Sequence, residues 1–294
     1  MDQGYPLGRE KRLGQGSPRH ENALRGRRFT FWPSADEAAP TVLALHGFTG
    51  AVEDFTCLAE QASWWNWLAP VLPGHDVDSG YPDFWDLNLL GGYLQALWAH
   101  CKAGQCRVLL GYSMGGRLAL HCAVNDARGL SGLVLVGASP GLRTEAERAE
   151  RRLRDAEQAD RLEAMGTAAF LADWTAQPLI ATQRQFISSA QLRRMRLARK
   201  RHHVEGLCES LRRHGTGALP SLWESLATLQ LPVLLVTGGL DEKFTTIAEE
   251  MSPLLGRGQH VVLEGVGHAA HLEAPEAFVS VLQRWMDTEG LSEG

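Results

Sequence analysis

The chain of 294 residues holds no run of about 18 apolar residues, so no membrane-spanning helix is expected. Its opening stretch, MDQGYPLGREKRLGQGSPRHENALRGRR, is polar and charged. It lacks the apolar segment of a secretory leader, and the expected compartment is the cytoplasm. Cysteine is sparse: Cys57, Cys101, Cys106, Cys122 and Cys208 are odd in number and show no CxxC spacing. Most sit in apolar surroundings, which points to buried free thiols rather than disulfides or a metal site. Positive charge is not in surplus either. The 29 Lys and Arg against 34 Asp and Glu leave a net charge of −5, which excludes a general nucleic-acid binder. There is no HExxH pattern, and the spacing His268-Ala-Ala-His271 does not by itself make a metal site.

The composition, 44% hydrophobic and 21% charged, is that of a globular protein, and the length fits one large domain with room for an insertion. Residues 1–24 read as a loose polar tail. From there, short apolar runs rich in β-branched residues read as strands: Arg28–Trp32, Pro40–His46, Trp67–Leu72, Cys106–Leu110, Leu130–Val136, Leu231–Val236 and Gln259–Leu263. Helical spacing lies between them, at Phe55–Ser63, Asp86–Ala103 and Arg117–Val124, with a closing helix over Pro275–Met286. This alternation predicts an α/β fold with a mostly parallel, doubly wound sheet. Over residues 140–220 no strand pattern appears, and the chain turns helical and rich in Arg, Glu and Ala. The simplest organisation is a core of residues 25–139 and 221–290 interrupted by a helical lid over 140–220.

Gly111-Tyr-Ser-Met-Gly115 matches G-x-S-x-G and stands where that motif must stand, after an apolar strand and before a helix. Glycines stand two residues to either side of the serine because the turn is strained and tightly packed. The helix N-terminus beyond it favours a developing negative charge. The pentapeptide alone is weak evidence, but three further features follow the order this fold requires. Leu45-His-Gly-Phe48 ends an early strand, which assigns the backbone N–H groups of Phe48 and Met114 to an oxyanion hole. Gly238-Gly-Leu-Asp241 follows the strand ending at Val236, although a plain turn aspartate would fit there too. Gly265-Val-Gly-His268 follows the next strand, which makes Ser113, Asp241 and His268 the expected triad of an α/β-hydrolase fold. His46 and His75 read as turn-shaping residues, and His202-His203 as a solvated pair in a charged helix.

With these motifs placed, the chain resembles the 2-succinyl-6-hydroxy-2,4-cyclohexadiene-1-carboxylate (SHCHC) synthases of menaquinone biosynthesis over residues 40–285. The resemblance rests on Leu45-His-Gly-Phe-Thr-Gly50, Gly111-Tyr-Ser-Met-Gly-Gly-Arg117, the stretch Pro140–Arg152, Ala172-Asp-Trp174, Gln177-Pro178, Gly215-Thr-Gly217, Leu222-Trp223, Asp241-Glu-Lys-Phe244 and Gly267-His-Ala-Ala-His271. The hydrolase motifs are widely shared, whereas Pro140–Arg152, the Gly-Thr-Gly segment and Asp-Glu-Lys-Phe are far more specific. The resemblance implies a lyase that needs no cofactor and eliminates pyruvate from a polyanionic cyclohexene. Ser113, activated by His268 and Asp241, would take a proton next to a carbonyl. It further implies that Arg151 and Arg199 bind substrate carboxylates and that Tyr112 and Trp174 line the pocket. One departure stands out: Leu72-Pro-Gly-His75 continues as Asp76-Val-Asp-Ser79, where the superfamily usually carries another glycine.

Charge supports a small carboxylate-rich partner. Residues 140–220 hold 15 of the 29 Lys and Arg but 10 of the 34 Asp and Glu, a net +5 against −10 for the rest. Arg117 follows Ser113 by four residues, on the same face of the expected helix. A site for apolar esters would gain nothing from a guanidinium there. The rival readings are a carboxylesterase, thioesterase or carbon–carbon bond hydrolase using the same triad, and a non-catalytic binding protein on the same scaffold.

Overall fold

A computed structural model describes residues 20–24, 27–76, 85–100 and 105–292. Eight strands form one sheet: β1 (His20–Leu24), β2 (Arg27–Trp32), β3 (Thr41–Leu45), β4 (Asn66–Pro70), β5 (Arg107–Tyr112), β6 (Gly132–Val136), β7 (Val233–Gly238) and β8 (Gly258–Leu263). Their order is β1-β2-β4-β3-β5-β6-β7-β8. From β4 to β8 all neighbours run parallel, while β1 and β2 add an antiparallel edge. The mostly parallel sheet with helices on both faces is the architecture expected from the alternation of apolar runs.

The period of two along each strand sorts side chains to two separate cores. Val42, Ala44, Val108, Leu110, Val134 and Val136 point to one side, where helices α1 (Thr56–Gln61) and α12 (Pro275–Thr288) cover them. Leu43, Leu45, Leu109, Leu133 and Leu135 point to the other, under α2 (Leu87–Leu97), α3 (Met114–Asn125) and α10 (Glu242–Met251). The valines of β3, β5 and β6 thus face one helical layer, together with Leu110, while most of the leucines of these strands face the other.

Between β6 and β7 the chain forms helices α4 (Glu145–Met165), α5 (Thr167–Trp174), α6 (Pro178–Ala181), α7 (Gln183–Phe186), α8 (Ser189–Arg199) and α9 (Val204–His214). Helix α4 begins at a capping box, with Thr144 accepting from the Glu147 N–H while Glu147 accepts in return from the Thr144 N–H. The helical segment has its own small core of Ala159, Leu162, Phe170, Leu207, Cys208 and Leu211, against which Phe48 and Trp174 pack. Its two ends meet: Leu222 N–H donates to the Pro140 carbonyl at 2.7 Å, and Trp223 Nε1 to the Gly141 carbonyl at 3.0 Å. Helix α11 (Ala270–Glu273) follows the loop that carries His268.

Three expectations need correction or limits. Residues 20–24 are not part of a loose tail but strand β1, which pairs with β2 residue for residue from His20↔Phe31 to Leu24↔Arg27. Its sequence, His-Glu-Asn-Ala-Leu, carries too few apolar residues to announce a strand. Residues 1–19 and Cys101 lie outside the described residues. His202 is not solvated: it is buried, accepts from the Asp76 N–H at 3.0 Å through Nδ1, and sits 3.1 Å from the Thr49 carbonyl through Nε2.

Candidate active site

Ser113 stands between β5 and α3 with φ +51 and ψ −110, a left-handed-side conformation that costs a non-glycine residue free energy. Its N–H donates to the Val136 carbonyl of β6 at 2.9 Å, which fixes the turn to the sheet. The tightness of the crossing explains the motif: a Cβ on Gly115 would lie 2.3 Å from the Leu45 carbonyl oxygen and 2.5 Å from that of His46. The start of α3 therefore lies directly against the end of β3. Met114 is the first residue of α3, so its N–H has no helical carbonyl to reach. Phe48 follows one residue beyond Gly47, in the loop that α3 presses on.

His268 brings the two other residues together. Its Nε2 lies 2.9 Å from Ser113 Oγ, and its Nδ1 lies 2.6 Å from Asp241 Oδ2. Asp241 caps α10, where its Oδ1 accepts from the Phe244 N–H at 3.3 Å. Both Asp241 and His268 are buried, and the rings of Phe244 and Tyr112 flank the imidazole at 4.5 and 5.3 Å. A carboxylate accepts only, so Nδ1 carries the proton and Nε2 is left free to accept from the serine hydroxyl. The three groups form a path along which a proton can leave Ser113.

The loop 46–50 beside Ser113 is held by a buried histidine cluster. His46 Nε2 accepts from the Leu72 N–H, and His75 Nε2 accepts from the Thr49 N–H, both at 3.1 Å. The rings of His46, His75 and His202 stack edge to face at 4.8 and 5.3 Å. Burial pushes His46 and His202 down to about 4 and His75 well below its ordinary value, so all three are neutral acceptors at pH 7. The missing glycine at position 76 is explained here too. Asp76 adopts φ +65, and its carboxylate pairs with Arg28 and with Arg201 Nε at 2.8 Å. Those pairs offset the strain of a side chain in the left-handed region.

The arginines are placed differently from one another. Arg117 sits one turn after Ser113, with its N–H on the Ser113 carbonyl at 3.1 Å. Its Nη2 reaches the His214 carbonyl at 3.4 Å, and its Nε is buried without a protein partner. Burial and then the nearby Arg151 guanidinium pull Arg117 down to about 10, which still leaves it charged at neutral pH. Arg151 donates from Nε to Asp155 at 2.8 Å, and the other oxygen of Asp155 accepts from the Gly217 N–H at 3.2 Å. Two cations thus converge from α3 and α4. Arg199 lies apart from them, donating from Nε to the Thr49 carbonyl at 3.2 Å. Trp174 packs on Phe48 with ring centroids 5.0 Å apart, and Tyr112 is buried between His268 and His271.

Sequence reasoning missed His202 and Asp54. Asp54 is buried, takes the Ala51 N–H at 3.1 Å, and is pushed up to about 6 by burial, against the pull of Arg199. Nothing in the local sequence sets either residue apart from the charged residues around it.

A family model described as "Alpha/beta hydrolase family" matches residues 42–281. The chain belongs to the α/β-hydrolase family. Within the family, a 2-succinyl-6-hydroxy-2,4-cyclohexadiene-1-carboxylate synthase of Salmonella agona (strain SL483) is 32% identical over 252 residues, covering 83% of this chain and 92% of that protein. A relative from Bacillus subtilis (strain 168), provisionally given the same synthase name, is 34% identical over 260 residues, covering 86% and 92%. These relatives place the chain in the SHCHC synthase branch of the α/β hydrolases. The solved structure of MenH from S. aureus superimposes with a TM-score of 0.83 at 29% identity, over 89% of this chain and 98% of that one.

Proposed function

We propose that this protein eliminates pyruvate from the enolpyruvyl-bearing cyclohexene SEPHCHC to give SHCHC, with Ser113, His268 and Asp241 as its proton-transfer set. Ser113 Oγ, having passed its proton to His268 Nε2, takes the proton from the ring carbon next to a carbonyl. The electron pair delocalises onto that carbonyl, whose oxygen meets the N–H groups of Phe48 and Met114. The ring then expels the enolpyruvyl group by breaking its carbon–oxygen bond. The leaving group is protonated and ketonises to pyruvate, and no water is consumed. Asp241 stabilises the imidazolium that forms in between. General-base catalysis of this kind contributes about 10²–10⁴ in rate, and one oxyanion donor about 10²–10³.

The observation that carries this reading is Arg117, a half-buried guanidinium with an unpartnered Nε one turn from Ser113 and with Arg151 beside it. Two converging cations in a partly desolvated site favour carboxylates, and the guanidinium fork can hold them bidentately. Arg199, Tyr112 and Trp174 would complete the pocket. The substrate carries its own leaving group and its own electron sink, so the reaction calls for neither cofactor nor metal. The reading makes a small carboxylate-rich molecule the partner and the cytoplasm the place of action. The deciding test is pyruvate release from SEPHCHC beside hydrolysis of p-nitrophenyl acetate. Release that is lost in Ser113→Ala and Arg117→Ala is the expected result. Brisk ester turnover without pyruvate would leave a carboxylesterase, thioesterase or carbon–carbon bond hydrolase instead.

A further inference from the structure

The lid's positive charge is not spread evenly. Ten of the 15 Lys and Arg in residues 140–220 are ion-paired with neighbouring carboxylates. The five that are not, among the described residues, are Arg184, Arg193, Arg196, Arg199 and Lys200. Four of these five, all but Arg193, line a single open cavity of about 480 Å³ between α5, α6, α7 and α8. Its walls are otherwise mainly apolar, with Leu171 and Leu192 among them. None of Ser113, His268, Arg117 or Arg151 lines it.

Unpaired like charges gathered around a hollow repel one another, and an anion placed among them relieves that repulsion. The volume is in the range of about 300–1,000 Å³ that small-molecule sites occupy. We propose that this cavity is a second binding site, for a small organic polyanion with an apolar ring or chain. Its carboxylates meet Arg184, Arg196 and Lys200, and its hydrocarbon part rests on Leu171 and Leu192. Arg199 joins the cavity to the oxyanion loop, since the same side chain donates from Nε to the Thr49 carbonyl, next to Phe48. The occupant comes from one of two sources: the enzyme's own substrate on its way to Ser113, or a separate organic anion.

The test uses the full chain carrying Arg117→Ala, so that binding beside Ser113 is weakened, and phthalate as the probe, an apolar ring with two carboxylates. Calorimetric titration is expected to show one saturable site. Its affinity falls about tenfold or more in the combined Arg184→Gln, Arg196→Gln, Lys200→Gln variant, and also in Ala168→Trp, which fills the cavity without touching its charge. Arg193→Gln, the unpaired cation outside the cavity, leaves it unchanged. Absence of saturable binding, an equal loss in Arg193→Gln, or unaltered binding in Ala168→Trp would each overturn the proposal. A second arm, steady-state pyruvate release with position 117 restored to arginine, identifies the source. A raised KM at constant kcat in the triple variant assigns the cavity to the incoming substrate. Unchanged kinetics alongside weakened phthalate binding assign it to a separate anion. Because the titration needs no turnover, it stands whether or not SEPHCHC proves to be the substrate.

Discussion

Gly137 backs directly onto the imidazole of His268: a Cβ at position 137 would lie 2.8 Å from the ring's Cε1 and 2.9 Å from its Nδ1. Gly137 also has φ +52, which a side chain resists. The end of β6 therefore sets how far the ring can retreat from Ser113. In Gly137→Ala the ring must move, and a misplacement of about 1 Å can cost on the order of 10² in rate. The expected outcome is a kcat for pyruvate release reduced by about that factor with KM little changed. Wild-type kcat in this variant would show that the ring has slack the packing does not suggest.

Asp241→Asn tests the proton inventory without disturbing shape. The amide oxygen can still accept from the Phe244 N–H at the start of α10, so the melting temperature is expected to stay near that of the wild type. The amide can no longer hold the Nδ1–H tautomer as a carboxylate does. In the Ser–His–Asp template the same change costs about 10⁴ in kcat. A loss of that order, measured by pyruvate release, is the expected result, and a loss of only a few-fold would show that His268 is oriented by Phe244 and Tyr112 instead.

Arg117→Lys separates charge from fork. Lysine keeps the cation but presents a single ammonium where the guanidinium offers parallel donors. Pyruvate release is expected to lose about ten- to a hundredfold in kcat/KM, while p-nitrophenyl acetate turnover is unaffected. Full activity in the lysine variant would reduce the role of Arg117 to simple electrostatics.

The buried histidines set an acid limit on stability. His46, His202 and His214 fall to about 4 and His271 to about 3, with burial the leading cause in each. The unfolded chain takes up these protons near the ordinary histidine value of about 6.5, and the folded chain does not until the pH is far lower. Stability is therefore complete above about pH 7 and is lost progressively as pH falls from about 6.5 toward 4. Asp54 acts in the opposite sense: its carboxyl, raised to about 6, favours the folded state as pH falls from there toward 4, by one proton against several. The melting temperature is expected to drop steeply over that window and less steeply in His202→Gln. An identical slope in that variant would mean that His202 opens to solvent before the protein unfolds.

The body of the fold was legible because strands β3 to β7 are short apolar runs that feed the two cores on either side of the sheet. Val42-Leu43-Ala44-Leu45 sends residues in turn to two separate cores, and a run of that kind has few other uses. Ser113, Asp241 and His268 could be marked because their glycine-flanked turns sit at strand ends. The Gly-Thr-Gly segment could be recognised only by resemblance, yet its cause is steric: a Cβ on Gly217 would lie 2.5 Å from the Arg152 nitrogen of α4. That contact joins residues 65 apart in sequence, which no local pattern reveals. The same holds for His202, whose partners are Thr49 and Asp76. Charge around it signals solvent, and only the folded chain shows that the ring turns inward. Strand β1 was hidden for a different reason, since an edge strand can be polar along its length.

Strands β6 and β7 are hydrogen-bonded neighbours, and the helices between them leave and re-enter through Pro140–Gly141 and Leu222–Trp223, which bond to each other. The doorway is thus closed by its own frame before any helix beyond it is considered. A helical segment of another length or charge could be spliced through the same doorway without altering the register of a single strand pair. Ser113, His268, Asp241 and Arg117 lie outside the spliced segment and would stay in place, whereas Arg151, Trp174 and Arg199 lie within it and would go with it.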